Sequence, residues 1–148
     1  MPLLVKLMKS VIVYWSRYGN GKKLVEYLDD KLKEKKIETQ IFKTDEANPT
    51  SMPAADFYVF SAPSEAFSVQ RNMKKFMKNL EGMENKKYSL INTHGMDRSM
   101  LHKMEKILSK KNMKKVAEVD FKVGNDAKNG NGFIEDFKPK MDEFVGKL

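Results

Sequence analysis

Ser10-Val-Ile-Val-Tyr-Trp-Ser16-Arg17-Tyr18-Gly19-Asn20-Gly21-Lys22-Lys23 carries a short apolar run rich in β-formers into a turn with two glycines. Lys22 to Lys36 then places Leu24, Val25, Leu28 and Leu32 at helical spacing, so the stretch reads as strand, turn and helix. The same alternation continues outward. Residues 37–43 read as a strand of alternating polarity, and 48–53 as a loop broken by two prolines. Residues 56–62 form a second continuous apolar strand. After Pro63 a helix is expected, with Met73, Phe76, Met77 and Leu80 on one face and Gly82 as its stop. Residues 87–93 read as a strand, and 98–112 as a helix with Leu101, Met104, Ile107 and Leu108 inward. Residues 116–123 alternate as a strand, and 125–132 as a flexible loop. In the tail, Phe133, Phe137, Met141, Phe144 and Val145 share a helical face, where Pro139 should start or kink the helix.

The order βαβ(loop)βαβαβα predicts an α/β fold with a parallel sheet of five strands and helices on both faces, a three-layer sandwich. Strands 10–16, 56–62 and 87–93 are largely apolar, as expected of covered centre strands; 37–43 and 116–123 alternate, as expected of edges. That assignment fits the strand order 2-1-3-4-5. Ligands in such sheets bind beyond the carboxyl ends of the strands where the order reverses. The loops to inspect are therefore those after Ser16, after Ala62 and after Thr93.

The chain has 148 residues, 41% of them hydrophobic and 32% charged, which fits one soluble globular domain over 1–148. Met8-Lys9-Ser10 reads as an alternative start, which makes residues 1–8 at most an N-terminal extension. No apolar run approaches the roughly 20 residues of a membrane span, and no signal-peptide pattern is seen. With no cysteine in the chain, disulfides, Fe–S ligation and thiol catalysis are excluded, and a cytoplasmic location is expected. The net charge of +8 favours an acidic partner. Lysine pairs such as 22–23, 74–75 and 110–111 are scattered along the chain and read one by one as solvated surface. No aromatic-interleaved basic motif supports nucleic-acid binding. No metal-ligand spacing is present, and His94 and His102 are the only histidines.

Ser16 to Lys23 leads straight into a helix, whose first amides form an anion site. Its glycines let the backbone wrap a phosphate, and Ser16 and Asn20 carry side-chain donors. Read alone, the segment is equally a plain strand-to-helix turn. It is neither a Walker loop nor a dinucleotide GxGxxG.

Strand-Ser-Arg-Tyr-Gly-Asn-Gly-helix resembles the FMN phosphate loop of flavodoxins, commonly [ST]-x-[TY]-G-N-[TS]. Ser16, Tyr18, Gly19 and Asn20 match. Gly21 stands where the family usually has a hydroxyl, a loss of about 1–3 kcal/mol of affinity if nothing replaces the donor; Arg17 and Lys22 complete the loop, and Lys22 adds charge. The resemblance covers nearly the whole chain in element order and matches the short-chain form. It implies FMN as the cofactor and electron transfer as the function.

The resemblance also assigns the other two loops. Pro63, Ser64, Glu65, Ala66 and Phe67 would border the flavin ring, with Phe67 either stacked on it or packed in the loop. The family usually has a glycine here whose peptide flips toward the half-reduced ring. This loop has none, and a non-glycine residue at positive φ costs of order 1–2 kcal/mol, so weak stabilisation of the half-reduced flavin is expected. Thr93, His94, Gly95 and Met96 would face the ring's N1/O2 edge. The usual stacking aromatic is missing, so His94 or Met96 would cover that ring face. His94 is otherwise a surface loop histidine; near the flavin its charge would tune the potential. His102 should face solvent.

Typical flavodoxins are acidic, whereas this basic chain should favour the anionic reduced flavin and an acidic redox partner. Three readings stay open. They are an FMN electron carrier or small flavin reductase, a flavoenzyme of the protoporphyrinogen oxidase type, and a flavodoxin-fold binding module that has lost FMN.

Overall fold

A computed structural model of the chain describes residues 7–124 and 126–148. Most of the expected extension, residues 1–6, lies outside the described residues, as does Asn125. The elements run β1 (Lys9–Tyr14), α1 (Asn20–Glu34), β2 (Glu38–Lys43), β3 (Phe57–Glu65), β4 (Ser68–Val69), α2 (Arg71–Lys78), β5 (Lys87–His94), α3 (Leu101–Ser109), β6 (Lys114–Lys122) and α4 (Lys138–Gly146). The parallel strands lie in the order β2-β1-β3-β5-β6. This is the expected order, with the alternating segments at the edges. Met8, placed in the extension by sequence, already joins the edge: its carbonyl accepts the Glu38 amide at 3.0 Å.

The period-2 geometry of the centre strands splits their apolar residues between two cores. Val11, Val13, Tyr58, Phe60 and Leu90 face Met73, Phe76 and Met77 of α2 and Met104 and Leu108 of α3. Ile12, Tyr14, Val59 and Ile91 face Leu24, Leu28 and Leu32 of α1 and Met141 and Phe144 of α4. Three layers result, and all loops at the carboxyl ends of the strands open on one side.

The differences from expectation are local. Residues 63–65 do not lead into a helix. They extend β3, which turns back through Ala66-Phe67 onto β4, pairing Ser64 with Val69 and Glu65 with Ser68. This adds a sixth, two-residue antiparallel strand. α2 begins only at Arg71, where the Gln70 side chain accepts the Met73 amide at 2.9 Å, and it ends four residues before Gly82. α1 begins at Asn20, two residues earlier than read, because Gly19 at φ 98° lets its carbonyl accept the Lys23 amide. It ends at Glu34 in a left-handed cap: Lys36 has φ 59°, and the Ile37 amide returns to the Leu32 carbonyl. α3 begins at Leu101 rather than at residue 98, because the Asn92 side chain takes the Met100 amide. Pro139 sits in the first turn of α4. Phe133 and Phe137 precede that helix rather than lying on it: Phe133 packs edge-on against Phe121, and Phe137 against Tyr27. The segment read as a flexible loop contains a 3-10 turn at Ala127–Asn129.

Candidate functional site

The loop after β1 is organised by one hydroxyl. Ser16 Oγ accepts the amides of Gly19 at 3.1 Å and Lys22 at 3.3 Å. With both lone pairs used, its own proton is free to donate. Just beyond, Asn20 and Gly21 are buried in the first turn of α1. Their backbone N–H groups have no acceptor among the described residues. Such groups at a helix start, on residues that line a cavity, present the positive end of the helix dipole to whatever fills it.

The Asn20 side chain faces the other way. Its Nδ2 donates to the Ala127 carbonyl at 2.8 Å and its Oδ1 accepts the Gly132 amide at 3.0 Å. It therefore pins the segment after β6 against the turn instead of offering a free donor, as the sequence suggested. The approach is backbone on backbone: a Cβ on Gly130, which has φ 73°, would lie 2.7 Å from the Tyr18 carbonyl oxygen.

The second wall is the β3–β4 hairpin. Glu65 receives a two-point bond from Arg17, Nε at 2.9 Å and Nη2 at 2.8 Å. This ties the hairpin to the first loop and holds the Arg17 guanidinium further above its ordinary value. That guanidinium also lies 4.8 Å over the Trp15 ring. The hairpin tip is strained: Ala66 has φ 49° and Phe67 φ 61°. The absence of glycine, expected to disfavour positive φ here, has not prevented it. Phe67 is 71% exposed rather than packed in the loop, and its carbonyl accepts Lys103 Nζ.

The third wall is the end of β5. Asn92, fully buried, accepts from Ser64 Oγ and from the Met100 amide and donates to the Ala62 carbonyl. One amide side chain thus sets the spacing of the second and third walls. His94 is 5% exposed, the last residue of the strand and not a surface loop residue. Its Nε2 lies 2.6 Å from Asp120 Oδ2, and its Nδ1 bonds the Met96 carbonyl. Asp97 is bonded to Lys122, which holds its carboxyl below the ordinary range.

These walls enclose a cavity of about 210 Å³. It is lined by Ser16, Arg17, Tyr18, Asn20 and Gly21 from the first loop, Pro63, Ser64 and Glu65 from the second, and Thr93, His94 and Gly95 from the third. Gly19 and Lys22 line a separate groove behind the first loop, with Lys43, Asp45 and Asn72. Ala66, Phe67 and Met96 are exposed beside the cavity and do not line it. Val123 and Ala127 also line it, and sequence reasoning missed both. It missed Asn92 and Asp120 as well. The only signal for Asn92 was a lone amide in an apolar strand; Asp120 had none beyond its place in an alternating pattern. His102 is exposed, as expected. Among the described residues no group of His, Asp and Glu could hold a metal ion, and no helix is long and apolar enough to cross a membrane.

The acceptor-free amides, the free Ser16 proton and the glycine-lined turn fit a phosphate monoester. At Gly21 a Cβ would meet Ser16 and Ser61 only at 3.7–3.8 Å, so the missing hydroxyl residue is a chemical change, not a steric one.

Comparison with known proteins bears on the fold and the family. No curated protein sequence matches significantly. The fold matches an archaeal flavodoxin at 17% identity, TM-score 0.67, over 91% of this chain and 99% of that one. It matches Megasphaera elsdenii flavodoxin in its two-electron reduced form at 14% identity, TM-score 0.72, over 92% and 95%. It also matches rubredoxin:oxygen oxidoreductase from Desulfovibrio gigas at 12% identity, TM-score 0.78, over 95% of this chain but 35% of that one. The model of the flavodoxin domain matches residues 11–129. The chain therefore belongs to the flavodoxin domain family, whose members bind FMN and transfer electrons.

Proposed function

We propose that this protein works as one domain and as an electron carrier, with FMN seated at the carboxyl ends of β1, β3 and β5. The observation that carries this is the pair of buried, acceptor-free amides of Asn20 and Gly21 at the mouth of the cavity. In this reading those amides and the Ser16 hydroxyl hold the phosphate, and Arg17, Tyr18, Gly19 and Lys22 shape the turn around it. Pro63, Ser64, Glu65, Ala66 and Phe67 flank one side of the ring, and Thr93, His94, Gly95 and Met96 the other. The 210 Å³ cavity is smaller than the roughly 300 Å³ at which small-molecule sites begin. The exposed Tyr18, Phe67 and Met96 are the side chains that extend its walls.

FMN supplies the one- and two-electron chemistry when bound. The chain's residues orient it, exclude water from its buried edge and set the surrounding charge. On the loops and helix starts at this end of the sheet, Lys23, Arg98, Lys103 and Lys128 have no carboxylate partner among the described residues. Such a rim favours an acidic redox partner, with a rate that falls as salt rises. A cytoplasmic location is part of the same proposal.

The test is turnover. FMN-loaded protein supplied with NAD(P)H and a quinone as acceptor, or with protoporphyrinogen and oxygen, should show no turnover alone. Once its FMN is reduced with dithionite, it should pass electrons to an added oxidised acidic redox protein. Rapid turnover without a partner would make it an enzyme.

A further inference from the structure

His94 presents both ring nitrogens to groups that can only accept. The Met96 carbonyl has no proton to give, and neither has an ionised Asp120 carboxylate 2.6 Å from Nε2. A neutral imidazole has one donor and one acceptor nitrogen, and would set a lone pair against one of these oxygens. Both bonds are satisfied together only by an imidazolium.

The pair is also oriented. His94 is 5% exposed and lines the cavity beside Thr93 and Gly95. Asp120 has a side chain 40% exposed and lines two surface grooves but not the cavity. Its charge is screened by solvent, whereas that of His94 is not. Four of the other charged groups nearby are paired with one another. Asp97, on the loop after β5, is bonded to Lys122 of β6; Arg17 and Glu65 bond each other on the first and second walls. Lys140 of α4 gives its ammonium to the Asp120 backbone carbonyl, leaving the carboxylate to His94. Of the two partners, His94 is the one at the cavity wall.

We propose that His94 is an imidazolium built into the cofactor cavity, with Asp120 as the residue that positions it and keeps it charged, and that it favours the negative charge a flavin gains on reduction. This rests on the FMN reading for its effect, but not for its geometry.

The first measurement therefore needs no cofactor. In the ¹⁵N-labelled apo-protein at neutral pH, both His94 nitrogens should carry hydrogen, and in Asp120→Asn one of them should lose it. A neutral His94 ring in the unaltered protein would overturn the proposal. The second measurement is the midpoint potential of the FMN-loaded protein. His94→Gln and Asp120→Asn should each weaken binding of reduced relative to oxidised FMN by about tenfold, a fall of about 30 mV for a two-electron couple. His94 is buried, so the half-exposed Asp120 keeps the test open where the His94 variant fails to fold. Normal FMN uptake with unchanged potentials in the folded variants would overturn the electrostatic role while leaving the cofactor site intact. Failure to take up FMN at all would bring down the cofactor reading and the tuning role with it, with the apo-protein spectrum still deciding the charge of His94.

Discussion

Two loops at the same end of the sheet turn through positive φ by different means. The loop after β1 does it with Gly19, at φ 98°. The β3–β4 hairpin does it with Ala66 and Phe67, at φ 49° and 61°, each at a cost of order 1–2 kcal/mol relative to the right-handed region. The difference follows from what lies against each turn. The first loop touches another backbone: Gly130 lies within 3.9 Å of where a Gly19 Cβ would be, and Tyr18 would collide with a Cβ on Gly130. The hairpin tip is exposed, so a side chain there meets only solvent. Its strain is offset by the two β4 pairs, the Lys103 bond to the Phe67 carbonyl and the Arg17–Glu65 fork.

The largest effect that would break this contrast is expected at Gly130. Gly130→Ala adds a Cβ 2.7 Å from a backbone oxygen at a φ of 73°. It should cost about 3 kcal/mol or more, read as a fall in the urea midpoint, and should weaken FMN binding by displacing Tyr18. A loss below about 0.5 kcal/mol would mean that the two loops are not packed as described. Next comes Asn20→Ala, which strips partners from the Ala127 carbonyl and the Gly132 amide. A loss of about 2 kcal/mol is expected, together with faster hydrogen exchange confined to residues 127–132. Exchange unchanged there would remove the pinning role.

Gly21→Ser sharpens the contrast in the other direction. The space is present, and the new hydroxyl should tighten FMN by about 1 kcal/mol, or fivefold. Weaker binding in calorimetry would show that the turn does not hold the phosphate. The smallest effect is expected at Ala66→Gly, which relieves one left-handed residue but adds unfolded-chain entropy, for a net gain near 0.5 kcal/mol. A clear destabilisation would mean the hairpin is not strained.

The same contrast explains what was legible in the sequence. The strand order could be read because burial on two faces makes β1, β3 and β5 largely apolar and leaves β2 and β6 alternating. The turn after β1 could be read because its backbone demands glycine at Gly19, with φ 98°. The hairpin was hidden because Ala66-Phe67 carries none of the Asn-Gly or Gly signals of a two-residue turn. The ends of α1 and α3 were misplaced for a related reason: Lys36 and Asn112, not glycines, take the left-handed positions beyond them. Asn92 and Asp120 act across strands, and no local spacing connects Asp120 to a histidine 26 residues away.

The central claim is that amides at the start of α1 receive a phosphoryl group. Calorimetric titration of the apo-protein with FMN, and in parallel with riboflavin, isolates that contact because the two ligands differ only in the phosphate. Two or three charge-assisted bonds at about 1.5–3 kcal/mol each imply that FMN binds at least roughly 100-fold more tightly. Equal affinities, or no heat with FMN, would contradict the account.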